Sequence, residues 1–327
     1  MRNKWMFIIV ILLLVACNSS PTAEQTPPEE VAEEPAAPTE PAAPTEPVPT
    51  PEPTKVPSPA GKIVFSSNRG ENPGKLDIHV LDVETGEFSQ LNSNLLVSFY
   101  PKWSPDGKSV LYVDPVNWNF YTIQPENSEI KQITNFRSNN GDWSPDGTRI
   151  VFQSDHDNEP QDTPDLYIID VDGGNLTEIL DDPEVIDFSP RWSPDGKKVL
   201  FISNRNGKLE LFVMNLDDST TEQISDVEGP IMEANWSPDG TRIAFNIQDA
   251  SGSDIYVVDA DGKSNLLQLT DDGKSNLYPA WSPDGSRIAF SSKASGNTDL
   301  WMIEANGENK TQLTDDEWDD LFPDWAP

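Results

Sequence analysis

The sequence predicts an all-β fold, a six-bladed β-propeller of four-stranded blades, on three observations. Trp-Ser-Pro-Asp-Gly occurs five times, beginning at Trp103, Trp143, Trp192, Trp236 and Trp281, and Trp325-Ala326-Pro327 ends the chain. These tryptophans lie 40, 49, 44, 45 and 44 residues apart, a period at which each repeat is one small sheet that needs neighbours to bury its faces. Each period also carries strand-like runs divided by turn residues. Finally, Ser58-Pro59-Ala60-Gly61-Lys62-Ile63-Val64-Phe65 copies the repeat without its Trp, and the missing Trp stands at the other end as Trp325. The last strand should therefore complete the first sheet, leaving no open edge.

Within a period the elements follow in order. The Trp-bearing segment is the first strand. Ser-Pro-Asp-Gly is a tight hairpin turn: Pro presets φ, Asp accepts local backbone hydrogen bonds, and Gly takes the positive φ closed to other residues. A β-branched and aromatic run follows as second strand, for example Val199-Leu200-Phe201. A polar stretch leads to a third, alternating run such as Asp165–Asp170 or Asp254–Asp259. Turns such as Asp261-Gly262 and Asn306-Gly307 then lead to a fourth strand ending in Gln268-Leu269-Thr270 or Gln312-Leu313-Thr314. Five copies of one turn Asp argue for structure, because catalysis needs one or two unique carboxylates. Each Trp is expected to pack between adjacent blades, where burying about 200 Å² of indole contributes at most about 5 kcal/mol.

Three regions result: a leader over 1–16, a tether over 17–57 and the propeller over 58–327. The leader carries Arg2 and Lys4, then twelve apolar residues from Trp5 to Ala16, too few to span a bilayer but suited to a secretion signal. Leu14-Val15-Ala16-Cys17 resembles a bacterial lipobox, which implies lipidation at Cys17; an ordinary signal peptide or an uncleaved anchor are the competing readings. Cys17 is the single cysteine of the chain, so it has no disulfide partner. Residues 21–59 hold 13 Pro and 8 Glu against one Lys, a composition that builds no core and favours an extended, disordered spacer. The expected location is extracytoplasmic, with the chain anchored to the bacterial cell membrane.

Charge narrows the partners. Without Arg2 and Lys4 the chain has 20 basic and 56 acidic residues, a net of −36, and the propeller alone has 19 against 48, a net of −29. Such a surface repels phosphate backbones, so nucleic acid is not an expected partner. Cations, basic peptides and neutral glycans remain, alongside a reading in which the charge only confers solubility. A monomer is expected.

The chain contains no Gly-x-Ser-x-Gly, Walker loop, His-Glu-x-x-His or Cys-x-x-Cys. Of its two histidines, His79 aligns with Tyr121, Tyr167, Phe212, Tyr256 and Trp301 in the other periods and reads as a ring-packing residue. The second, His156, sits in the acidic stretch from Ser154 to Asp165. Asp155, His156 and Asp157 are its candidate metal ligands, with Ca²⁺ the ion such oxygen-rich loops take; a solvated acidic loop is the competing reading. No other cofactor is expected.

Propellers bind at the mouth of the central channel, where the segments leading into the innermost strands meet. These segments vary among periods while the framework repeats. Tyr100, Tyr278 and Phe322 would form an apolar floor, with Lys102, Asp142, Arg191 and Glu233 as polar groups around it and Trp118 added from a neighbouring loop. Packing of the aromatics between blades is the alternative.

Trp-Ser-Pro-Asp-Gly, a strand, Asp-x-Tyr-x-x-Asp and Leu-Thr-Asp-Asp together resemble the repeat of TolB-type six-bladed propellers (WD40-like Pro-Asp repeats), over residues 58–327 and carried here on a bacterial lipoprotein. The resemblance implies the fold strongly and function weakly. The amino-terminal α/β domain of TolB is not found here, and no hydrolase domain follows Pro327, so neither a Tol–Pal role nor peptidase activity is carried over. The expected function is a membrane-tethered binding or scaffold propeller that recognises a protein, peptide or envelope glycan at its channel mouth. The alternative is a metal-assisted glycan hydrolase or lyase using His156 and nearby carboxylates.

Overall fold

The computed structural model describes residues 61–327 apart from 70–74, 92–97, 156–162, 181, 183 and 263–264. The leader, Cys17, the Pro-rich segment, His156 and Asp157 lie outside the described residues. Those described form strands and turns without a helix, from β1 (Lys62–Ser67) and β2 (Asp77–Asp82) to β24 (Asp320–Trp325). They make six antiparallel four-stranded sheets. Five sheets use strands consecutive in sequence; the sixth has the order β24-β1-β2-β3, with β3 spanning Phe88–Gln90. Counting that seam sheet as blade 1, the innermost strands of blades 2 to 6 are β4 (Phe99–Trp103), β8 (Asn139–Trp143), β12 (Asp187–Trp192), β16 (Ile231–Trp236) and β20 (Asn276–Trp281). Each touches the next, and β20 touches β24, which touches β4. The ring is closed.

The seam has the expected register, Ile63 opposite Trp325 and Ser67 opposite Asp320. Ala326 N–H donates to the Lys62 carbonyl at 2.8 Å, extending the ladder by one bond. Second strands are sandwiched between blades, which is why their apolar runs are nearly continuous: Val199 to Ile202 are all fully buried. Outermost strands such as β3 are short and exposed, so the free edges are poor templates for further pairing.

Each tryptophan packs on the blade before its own. Trp103 clusters with Val64 and Val80 of blade 1, Trp192 with Val151 and Ile168 of blade 3, and Trp325 with Ala289 and Met302 of blade 6. All six are only 5–9% exposed. Two also donate their indole N–H to the preceding blade, Trp143 to the Lys102 carbonyl and Trp281 to that of Asn235, both at 3.2 Å.

The repeated turn is a small hydrogen-bond machine. Its Ser hydroxyl donates to the Asp Oδ1 at 2.6–2.7 Å. The same oxygen accepts the backbone N–H two residues on, at 3.0–3.1 Å. The Gly has φ of 68–73°, a region that penalises any side chain. These donors hold the turn carboxyls low, Asp146 and Asp239 down to about 2, with the Ser hydroxyl the largest cause. Successive turns lie close together: a Cβ added at Gly147 would reach Pro105, one at Gly196 Pro145, one at Gly240 Pro194, and one at Gly107 Pro327 across the seam. The turn aspartates are therefore structural, as their repetition suggested.

Because each indole serves two blades, Trp192→Ala is expected to cost about 3–5 kcal/mol. A urea unfolding midpoint measured against wild type checks this.

Candidate functional site: the channel mouth

Every innermost strand carries a register break near its start. Pairing skips between Phe99 and Lys102, Asn139 and Asp142, Phe188 and Arg191, Ile231 and Ala234, Leu277 and Ala280, and opposite Val64–Ser66 in β24. At five of these bulges one residue has left-handed φ: Tyr100 (52°), Asn140 (50°), Ser189 (53°), Tyr278 (58°) and Phe322 (58°). In four of them a Pro follows, which has no N–H to lose where the ladder is broken. A bulge re-aims side chains, and here the bulge side chains meet one another.

Two half-rings result. In blades 6, 1 and 2, Phe322 stands 4.3 Å from Tyr100 and 4.4 Å from Tyr278 between ring centroids, and the two tyrosines are 6.3 Å apart. In blades 3, 4 and 5 the contents are polar and buried. Glu233 accepts from the Asn140 amide at 3.0 Å, the Ser189 hydroxyl at 2.5 Å and Arg191 Nη2 at 3.1 Å. Arg191 also donates to Asn140 Oδ1 at 2.8 Å and to the Pro190 carbonyl at 2.8 Å. Burial raises the phenol pKa values of Tyr100 and Tyr278, so both remain neutral donors.

The residue just before each Trp forms a second layer. In blades 1 to 4 these are Asp324, Lys102, Asp142 and Arg191, alternating in sign. Lys102 Nζ pairs with Asp324 at 2.9 Å. The other oxygen of Asp324 accepts the Trp103 backbone N–H at 2.9 Å, and Asp142 accepts that of Trp192 at 2.8 Å. Burial raises the pKa of Asp142, opposed by the nearby Arg191 and Lys102 charges. Each carboxylate thus fastens its innermost strand to another blade.

The structure accordingly brings Tyr100, Tyr278 and Phe322 together as a floor, and Lys102, Asp142, Arg191 and Glu233 beneath and beside it. All four charged groups are engaged: Lys102 by Asp324, Asp142 by the Trp192 N–H, and Arg191 and Glu233 by each other and by Asn140 and Ser189. Between floor and polar half-ring remains a cavity of about 20 Å³, room for about one water. What faces outward is a shoulder on blade 2. Trp118 lies 6.4 Å from Phe99, which lies 5.9 Å from Phe322, and Val116 beside Trp118 is 64% exposed. Arg137 stacks over Trp118 at 5.3 Å and pairs with Asp155 at 3.2 Å. Of the three candidate metal ligands, Asp155 is therefore engaged by a cation already, and the other two lie outside the described residues.

The PD40 family, described as the TolB beta propeller domain, matches residues 62–179 and 162–327. The chain belongs to this TolB beta propeller family. Among its relatives is an uncharacterized Agrobacterium fabrum protein, 31% identical over 169 residues, covering 48% of this chain and 55% of the relative. A TolB homolog of Chlorobium luteolum is 30% identical over 171 residues, covering 49% of this chain and 35% of its own length. The crystal structure of TolB from Acinetobacter baumannii superposes with a TM-score of 0.70 at 20% identity, covering 82% of this chain and 67% of that one, a likeness of fold. The matched region is about half or less of these two relatives' own lengths.

Sequence reasoning missed a further device in this TolB-type propeller. Ser67-Asn68-Arg69 and Ser203-Asn204-Arg205 recur in blades 1 and 4. Arg69 takes the Ser67 hydroxyl at 2.9 Å, Asp320 at 2.6 Å and Asp316 at 3.2 Å. Arg205 repeats this with Ser203 at 2.9 Å and Asp187 at 3.0 Å. Both guanidiniums stack on blade aromatics, Arg69 at 4.2 Å from Phe88 and Arg205 at 5.0 Å from Phe201. Asp299, Asp316 and Asp320 offer carboxylate oxygens within 4.8 Å of one another, but Arg69 supplies the cation there. Burial still pushes the Asp320 carboxyl up to about 6.

His79 sits in β2 beside this knot, its ring 5.9 Å from Phe65, in the ring-packing position expected. Burial, reinforced by the Arg69 charge, pushes its pKa down to about 4.

Two outcomes follow from this geometry. Glu233→Ala leaves a buried guanidinium without its carboxylate and is expected to cost about 3–5 kcal/mol, whereas the double change Arg191→Met with Glu233→Leu removes both charges and should cost less, about 1–3 kcal/mol, for the Asn140 amide and Ser189 hydroxyl it leaves unpaired; chemical denaturation of both reads the difference. For His79 the folded pKa is below the unfolded one, so the unfolded state binds the extra proton. Its contribution is intact above pH 6.5 and is lost as pH falls toward 4, amounting to about 3 kcal/mol. His79→Tyr, the residue of the aligned blades, should remove that part of the acid destabilisation in stability curves measured from pH 7 to 4.

Proposed function

We propose that this chain is a membrane-tethered, extracytoplasmic binding propeller whose channel mouth recognises a protein or peptide partner, with an envelope glycan as the other ligand class such a surface suits. The observation that carries this reading is the contrast between the two ends of the innermost strands. At the turn end blades 2 to 6 share Ser-Pro-Asp-Gly; at the mouth the corresponding residues vary among Tyr, Asn, Ser, Glu and Phe, and three of them, Tyr100, Tyr278 and Phe322, gather into one aromatic floor with an outward shoulder at Val116, Trp118 and Phe99. Half-buried rings beside an exposed aliphatic residue suit a partner that covers them and so removes apolar area from water. TolB proteins of the Tol-Pal system are among the relatives, which supports a scaffold or binding role for this propeller as well. The leader and Cys17 support presentation of the propeller from a membrane, with the Pro-rich segment as spacer and one propeller per chain acting as a monomer.

A metal-assisted hydrolase or lyase gains no support from the described residues, since Asp155 is held by Arg137. Crosslinking and pull-down from the native envelope tests the binding reading. Wild type is expected to capture a specific partner, and a Trp118→Ala, Tyr278→Ala variant with an unfolding midpoint showing a retained fold should lose it. Equal capture by both proteins would overturn the proposal.

A further inference from the structure

The residue that opens the second strand of each blade is basic in five blades: Lys62, Arg149, Lys198, Arg242 and Arg287. Where this residue reaches the next blade's tryptophan it caps the indole face. Arg149 lies 4.9 Å from the ring centre of Trp192, and Arg242 lies 4.7 Å from that of Trp281. Blade 2 breaks the pattern, because Ser109 stands at that position, and the indole it should cap is Trp143. At this junction, on the turn face of the propeller and at the far end of the strands from the channel mouth, an open groove of about 470 Å³ is lined by Ser109, Trp143 and the turns of blades 2 and 3. That volume is typical of a ligand site.

The groove is charged to receive a cation. Asp106, Glu129 and Asp146 line it against Lys131. Lys131 Nζ donates to the carbonyl of Val171, another residue of the lining, at 3.0 Å, and Lys108 reaches Asp106 at 3.5 Å from an exposed position. Carboxylates remain in excess at the groove, on a propeller whose net charge is itself −29.

We propose that this groove is a docking site for an arginine side chain of a basic peptide segment in a partner protein, which takes the place that Arg149 and Arg242 occupy at their own junctions. The planar guanidinium stacks on the Trp143 indole while its N–H groups meet Glu129 and Asp146, a combination that a neutral side chain does not reproduce. The site is independent of the channel mouth: Trp118→Ala, Tyr278→Ala should leave it intact.

The test uses the full chain and an acetyl-Gly-Arg-Gly-amide peptide at low ionic strength, followed through the Trp143 indole N–H resonance, identified by its disappearance in Trp143→Phe. A saturable shift is expected with the arginine peptide and not with the citrulline peptide, which has the same shape without the charge. Ser109→Arg fills the groove from within and should weaken binding by at least about tenfold while raising the unfolding temperature. Ser109→Lys, the residue type of blades 1 and 4, serves the same purpose if the first variant does not fold. No shift with the arginine peptide, equal shifts with citrulline, or undiminished binding in both Ser109 variants would overturn the proposal.

Discussion

Each blade of this propeller is held by a tryptophan lodged in the blade before it, and that arrangement works only if no blade is first or last. The second and third strands of a blade are apolar on both faces, so a linear row would leave two such faces in water. The pairing of β24 with β1 removes both at once and lets Trp325 do for blade 6 what the other five tryptophans do for blades 1 to 5. Closing a loop of this length costs on the order of 5 kcal/mol in chain entropy, because the cost grows only with the logarithm of length. Buried Leu321, Phe322 and Trp325, at roughly 1.5–3 kcal/mol or more apiece, are enough to offset it.

A ring made this way has two ends with different freedoms. At the turn end, Ser, Pro, Asp and Gly each satisfy a geometric demand of one hairpin, the Gly through its positive φ. Little can vary there except the capping residue of the next strand, which is why Ser109 stands out against five basic counterparts. At the mouth the bulge frees one side chain per blade from the ladder. The blades use that freedom differently, with aromatic rings in blades 6, 1 and 2 and hydrogen-bonding groups in blades 3 and 4, joined by Glu233 of blade 5.

Much of the layout of the candidate site is legible in the sequence. Tyr100, Tyr278 and Phe322 occupy the same place in their repeats, so a periodic frame carries them to one axis by symmetry alone. Trp118 joins them because its loop lies at the same end of the blade. The pairings were not legible. Lys102 meets Asp324 across 222 residues, and Asn140 reaches Glu233 past an intervening blade across 93. Nothing in the local sequence distinguishes such a buried, committed charge from a free one at a binding surface. Arg69 and Arg205 escaped notice for a related reason: the Ser-Asn-Arg triplet is short, occurs in two blades only, and gains its meaning from Asp320 and Asp187 on adjacent strands.

The sequence by itself determined the period, the turn chemistry, the blade count and the seam, because each rests on local backbone preference repeated at fixed spacing. Only the tertiary structure decided which charges are neutralised, that the mouth is floored by packed rings, and that one of the inter-blade junctions opens into a groove. Those outcomes depend on distances between side chains of different blades, set by how the closed ring curves, and no single repeat contains that information.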